Sequence, residues 1–390
     1  MARKMKDSGI EWIGEIPEGW ETINPKALFA QRKDRASKGE RQLTSSQQYG
    51  ILYQDEYMEL TGSKVVTVEK DFDILKHVET GDFVISMRSF QGGLEYSTKS
   101  GAISSAYVML VPNLELVYPR FYRWLLKSSV YIDALQRTTS MVRDGQAMRY
   151  SNFAQVRLFT LPLDEQKSRA DFLDLECSSI DKILFKTRSS IEEYKKLKQA
   201  VITQAVTEGT PAMFSSPHSV KLKYLISIVS GEAIRNEQLS DFGEYPVYGG
   251  GEIIGFCSQY NTSEGSLIIG RVGARCGCVT HTTCKSWATD NALIVLPTCN
   301  AKYMYYVIGH CQLNNLNTSN AQPLITSTKI KNVVVPYFSD AMQQQEIADY
   351  LDAKCAKIDG LIAKKEQLVK ELESYKKSLI YEVVTGKREV

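Results

Sequence analysis

Chemistry in this 390-residue chain would have to start from a short set of side chains. Glu165-Gln166-Lys167 has a Glu-x-Lys spacing that a nuclease could use, but at a helix entrance the same trio more often caps and solvates, and that reading is preferred. His77, His218, His281 and His310 have no recognisable Ser or Cys partner pattern and read as satisfied or surface histidines. Cys276, Cys278, His281 and Cys284 could gather a metal, yet their spacing fits no usual zinc ribbon or finger, the region reads as strand, and no metal is expected. The eight cysteines fall irregularly and read as free thiols. No Gly-x-x-x-x-Gly-Lys-Ser/Thr, no Gly-x-Gly-x-x-Gly after a strand, and no Asn-Pro-Pro or Asp-Pro-Pro before an aromatic is present. Neither ATP chemistry nor amino methylation is therefore expected of this chain, and no cofactor.

What the sequence does supply is hydrogen-bonding side chains suited to recognition. Arg88, Ser89, Gln91, Arg143, Gln146 and Arg149 stand in the first half, and Arg271, Arg275, Gln322, Ser327 and Thr328 in the second. Arginine can be bidentate to guanine, glutamine to adenine, and serine or threonine can bond phosphate, so these are the candidate DNA-binding residues. The alternative, solvated surface residues or strand-end caps, is kept for about half of them. A net charge of only +2, from 47 basic and 45 acidic residues, means that a DNA-binding face must come from placement, not total charge.

The elements that must position these residues occur twice. Gly81 to Arg88 reads as a strand ending in arginine, followed by Gln91-Gly92-Gly93 and a strand stopped at Pro112. Gly265 to Arg271, then Gly273 and Gly277, then a strand stopped at Pro297 repeat that order. An aromatic helical stretch follows each (Phe121 to Leu126, Tyr303 to Ile308), and then a Gln-containing loop.

A longer repeat frames them. Gln166–Thr207 matches Gln344–Thr385 at a constant offset of 178 residues, without gaps and with about a third of positions identical. Both stretches lack proline and repeat apolar residues in steps of four and three. Leu173, Cys177, Ile180, Leu184 and Ile191 lie on the first seam; Leu351, Cys355, Ile358, Ile362 and Val369 lie on the second. An amphipathic helix lying on its own domain gives a similar stripe, but the equivalence between copies favours pairing of the two helices. Gly209 and Gly386 stand where they can close the helices.

Lys6-Asp7-Ser8-Gly9-Ile10-Glu11-Trp12-Ile13-Gly14-Glu15-Ile16-Pro17-Glu18-Gly19-Trp20, Gly81 to Tyr96, Tyr245 to Gly251 and Ile269 to Ala274, in order with the two helices, resemble the specificity subunits of type I restriction-modification systems. The Trp-containing opening is not repeated before the second part, where residues 210–222 read differently. The resemblance, with the repeat, implies an α+β fold: two small mixed α/β target recognition domains separated by two long antiparallel coiled-coil helices, a pseudo-two-fold internal repeat. The expected division is a first target recognition domain over 1–160, a spacer helix over 161–209, a linker and second recognition domain over 210–335, and a second spacer helix over 336–390. The resemblance also implies double-stranded DNA, two methyltransferase subunits and a restriction/translocase subunit as partners, with catalysis in those partners. A helical scaffold that binds only proteins is the alternative. No stretch approaches the ~18 apolar residues of a membrane helix and the start shows no apolar leader, so a cytoplasmic location is expected.

Overall fold

The computed structural model describes residues 3–68, 72–86, 94–138, 149–213, 215–316 and 323–390. Two compact units emerge, one of Met1–Lys186 with Leu368–Val390, the other of Thr187–Gln367.

In the first unit, β1 (Glu21–Ile23), β2 (Phe29–Arg32), β3 (Phe83–Ser86), β4 (Leu94–Tyr96) and β5 (Tyr107–Pro112) precede helix α1 (Pro119–Leu126), β6 (Leu158–Thr160) and the long helix α2 (Leu163–Glu208). A four-stranded antiparallel sheet runs β2-β5-β3-β4, and β1 pairs with β6. Val84 and Ile85 are both wholly buried on opposite faces of β3, as a covered central strand requires. An N-terminal hairpin, Met5–Ile10 with Gly14–Pro17, brings Trp20 onto Phe159, ring centroids 5.0 Å apart.

The second unit repeats the plan with β7 (His218–Lys221), β8 (Ile226–Ser230), β9 (Tyr245–Gly249), β10 (Glu252–Cys257), β11 (Leu267–Gly270), β12 (Val279–His281), β13 (Ala292–Pro297), helix α3 (Ala301–His310), β14 (Val334–Tyr337) and the long helix α4 (Ala341–Val384). Its main sheet runs β8-β13-β11-β12, the same order and sense as its counterpart, and β7 pairs with β14 as β1 does with β6. The second part is thus anchored at its start by an equivalent two-strand ladder, although the Trp-containing opening is not repeated ahead of it. Leu267 and Ile269 join Tyr303, Met304 and Val307 on one side of the sheet, while Ile268 joins Tyr248, Ala288 and Ile294 on the other.

The long helices contact each other inside each unit. In the first, Leu173, Cys177, Ile180 and Leu184 of α2 share one core with Leu379, Val383 and Val384 of α4, and half-buried Val369 and Leu372 pack against it. In the second, Ala205 and Val206 of α2 share a core with Ile347, Ala348, Leu351 and Cys355 of α4. Ile191 and Ile358 are buried and Ile362 is half-buried. Lys376 donates to Asp181 at 2.6 Å in the first unit and Lys198 to Asp359 at 2.7 Å in the second. The residue numbers of the two ion pairs add to the same total, as one antiparallel register demands. The helices close at Gly209 and Gly386, both at positive φ (+88° and +75°).

Equivalent side chains fasten the helices to the sheets. Gln166 donates to the Leu116 and Leu161 carbonyls (both 2.8 Å) and accepts from the Tyr118 amide (2.7 Å). Gln344, one repeat later, donates to the Phe338 carbonyl and accepts from the Asn300 amide. Asp174 accepts from Trp124 and Arg123 (both 2.7 Å) on α1, as Asp352 does from Tyr306 (2.7 Å) and Lys302 (2.8 Å) on α3. Burial opposes ionisation of both aspartates, but these donors, with Arg120 (2.9 Å) foremost at Asp174, outweigh it and hold each carboxyl below the ordinary range.

Candidate nucleic-acid interface

Arg88, Ser89, Gln91, Arg143, Gln146 and Gln322 lie outside the described residues. Arg149 is exposed; its backbone amide donates to Asn152 Oδ1 at 3.0 Å, starting the short helix Tyr150–Phe153. The second unit supplies a described arrangement of the remaining candidates.

There β11 ends at Gly270 and the chain turns through Arg271 to Arg275 before β12. Arg271 is half-buried, with its backbone held on both sides: its amide donates to the Asn291 carbonyl, and its carbonyl accepts from the Ile325 amide (each 3.0 Å) and from Cys276 Sγ (3.2 Å). A β-bridge joins Val272 to Leu324, and the Gly273 amide donates to the Pro323 carbonyl. Two stretches distant in sequence are thereby fastened into one surface. The helix Ser327–Lys331 follows directly, its N-cap Thr326 accepting from the Lys329 amide, and it presents half-buried Ser327 and exposed Thr328. The fold thus joins the Arg271–Arg275 turn to the backbone leading into Ser327 and Thr328.

Cys276 and Cys278 sit in this turn and not in a strand, because Gly273 and Gly277 adopt positive φ and let the chain fold back. Among the described residues no group of three or more His, Cys, Asp and Glu side chains could hold a metal ion.

The sequence reading singles out Arg275 but passes over the residue it pairs with. The hairpin β9–β10 turns at Gly249-Gly250-Gly251 and places Glu252 beside Arg275, Oε1 to Nη1 3.1 Å, with both side chains about half exposed (61% and 48%). Together with Gly249, Gly250, Val272 and Asn291 they line a cleft of about 340 Å³. A Cβ on Gly270 would meet the Gly250 carbonyl at 2.3 Å and the Arg275 carbonyl at 2.5 Å, so the strand end and the hairpin tip meet backbone to backbone. An acidic residue immediately after a glycine turn was the available signal; its pairing with an arginine 23 residues later was not.

Glu165 and His77 have structural settings. Glu165 accepts from Arg3, from Arg169 (2.7 Å) and from Trp20 Nε1 (3.1 Å). Burial works against its ionisation, yet those donors hold its carboxyl at about 2. His77 lies between Glu40 (2.9 Å) and Glu79 (3.2 Å), which together outweigh burial and raise its pKa. Tyr303 accepts from the Phe338 amide at 3.0 Å inside the core, a packing role.

Residues 218–371 match the family model of the type I restriction modification DNA specificity domain. Over 110 residues the chain is 29% identical to the specificity subunit of the type I restriction enzyme EcoprrI from Escherichia coli, covering 28% of this chain and 27% of that one. The match therefore spans about a quarter of the curated relative. A solved structure described as the structural basis of complex assembly and conformational transition of the type I R-M system superposes with a TM-score of 0.74 at 14% identity, covering 96% of this chain and 99% of that one. The HsdS subunit of Thermoanaerobacter tengcongensis gives 0.50 at 14% identity over 96% and 98%. No helix among the described residues is long and apolar enough to cross a membrane. The chain carries a type I restriction modification DNA specificity domain over residues 218–371 and has, over nearly its whole length, the fold of a type I specificity subunit.

Proposed function

We propose that this chain reads DNA sequence for a type I restriction-modification complex, contacting one half-site with each of its two recognition domains (1–160 and 210–335). Two methyltransferase subunits and a restriction subunit dock on it and supply the catalysis. The observation that carries this reading is the duplication. Two sheets of identical strand order are each fastened to a long helix by an equivalent glutamine and aspartate, and in the second the strand Leu267–Gly270 leads into the turn that bears Arg271 and Arg275. A pair of equivalent readers on one duplex fits a bipartite target with an unspecified spacer.

Purified chain should bind a fluorescent random-sequence duplex weakly and with strong salt dependence, because phosphate contacts release counterions. It should neither methylate nor cut DNA until methyltransferase and restriction subunits are added. Absence of binding at low salt would favour a protein-only scaffold, and methylation by the chain alone would overturn the division of labour. Methylation-site sequencing of DNA from cells carrying the chain with its partners would then give the target.

The register adds a second expectation. In the intact chain 163–186 of α2 lies against 368–384 of α4, and the repeat equivalent of 368–384 is 190–206. A fragment of residues 1–209 should therefore form a homodimer in which Asp181 meets Lys198 of the second copy, and it should select an inverted repeat of the first half-site. Sedimentation showing a strict monomer at micromolar concentration would count against helix pairing as the organising contact.

A further inference from the structure

Glu252, paired with Arg275, is the feature of the cleft that the recognition reading leaves without a role. Three observations make the pair unlike an ordinary surface ion pair. First, it is not needed to hold the hairpin. The β9–β10 ladder and the backbone contact of Gly250 with Gly270 already fix the tip, and an exposed pair of this kind adds little to stability. Secondly, both members sit on well-anchored backbone. The Thr280 hydroxyl donates to the Gly251 carbonyl, and the Arg275 carbonyl accepts from the Cys278 amide at 3.0 Å. Thirdly, the half-exposed Glu252 carboxylate lies at the rim of the cleft that holds Arg275 and opposes DNA by charge, so on the surface proposed to face DNA it calls for a base-edge partner of its own.

We infer that Glu252 and Arg275 together read a single G·C base pair, with Arg275 donating to guanine O6 and N7 and Glu252 accepting from the cytosine N4 amine. The inference rests on the DNA-reading function proposed above and names a specificity residue for it. Donor and acceptor 3.1 Å apart are complementary to the two halves of one base pair: the guanine edge presents acceptors and the cytosine edge a donor. In the free chain each satisfies the other, and on the duplex each exchanges its partner for a base. Gly249, Gly250 and Gly273 keep the flanking wall low, so that a base edge can approach.

The test is selection from a randomised duplex library by the full chain, by Glu252→Gln and by Arg275→Ala, with thermal melting to establish that each variant is folded. Wild type should enrich a motif containing a G·C pair at which both variants lose discrimination, each by about 5- to 150-fold, with the other positions unchanged. The Glu252→Gln variant should move the preference at that pair toward adenine, which glutamine reads. An unaltered motif in Glu252→Gln would overturn the inference, as would effects of the two variants at different base pairs. A uniform rise in affinity for every sequence would also overturn it, since it would make Glu252 a purely repulsive charge. If wild type enriches no motif at all, the DNA-reading function itself falls, an outcome distinct from those on the variants.

Discussion

Replacing Arg169 with alanine should lower the unfolding free energy by about 3 kcal/mol, the low end of the range for breaking a buried charge network. Arg169 is 1% exposed. Its Nη1 donates to the Val383 carbonyl (2.8 Å), closing the last turn of α4, and to the Arg388 carbonyl (2.9 Å), while Nε and Nη2 hold Glu165. The variant leaves the Val383 and Arg388 carbonyls without this donor, at roughly 1–3 kcal/mol for each that stays buried and unsatisfied, whereas Glu165 keeps Arg3 and Trp20 and limits the loss. Lys376→Ala, removing a half-exposed pair, should cost under about 1 kcal/mol. The pH dependence has a definite sign. A carboxyl held at about 2, against an ordinary 4.5, contributes stability that is complete above about pH 4.5 and is lost as the pH falls through 2. Wild type and Arg169→Ala should therefore differ most near neutrality and converge in acid. Urea titrations at pH 7 and pH 3 measure this, and equal stabilities at pH 7 would show that the network does not hold the helix end.

Deleting Ile180–Lys186 together with Ile358–Lys364 should leave both half-sites intact and shorten the preferred spacer between them. Outside the two excised heptads the remaining pairs face each other as before; the stretch between them slides by one whole heptad, which keeps the apolar seam in phase, and the ion pairs of Asp181 and Asp359 are lost with the deleted residues. Each helix loses about 10 Å, and the spacer should shrink by up to about three base pairs, part of it absorbed by DNA bending or twist. Deleting only one heptad shifts every pair beyond it, including Lys198–Asp359 or Lys376–Asp181, and should yield a poorly folded chain. Selection from a spacer-randomised library decides the matter. A folded, binding-competent double deletion that keeps the original spacer would show that something other than these helices sets the distance.

The parts of the molecule that were legible in the sequence are those written in short-range pattern. The helices announce themselves by apolar steps of four and three and by their terminal glycines, and the sheet strands by β-type runs cut at glycine and proline. The 178-residue repeat carries Gln166, Asp174 and Asp181 onto Gln344, Asp352 and Asp359 before any contact is known. What was not legible depends on long-range backbone contact. Nothing in the pattern says that Gly270 touches Gly250, and so nothing pairs Glu252 with Arg275; the same is true of Pro323–Ile325 on the Arg271 turn. Arg169 was invisible for a different reason. A lone arginine beside a heptad seam reads as solvent-facing, and its burial becomes tolerable through Glu165 together with the Val383 and Arg388 carbonyls more than two hundred residues later.

The repeat that places Arg169 in the first copy places Ile347 in the second, wholly buried in an apolar core. Two versions of the same joint, one ionic and one oily, are thus built into a single polypeptide. They will yield to different stresses: the ionic joint to acid, where Glu165 loses its charge, and the oily one to cold, where apolar burial weakens. A chain assembled from near-equal halves is in this respect not symmetric, and the environment decides which half loosens first.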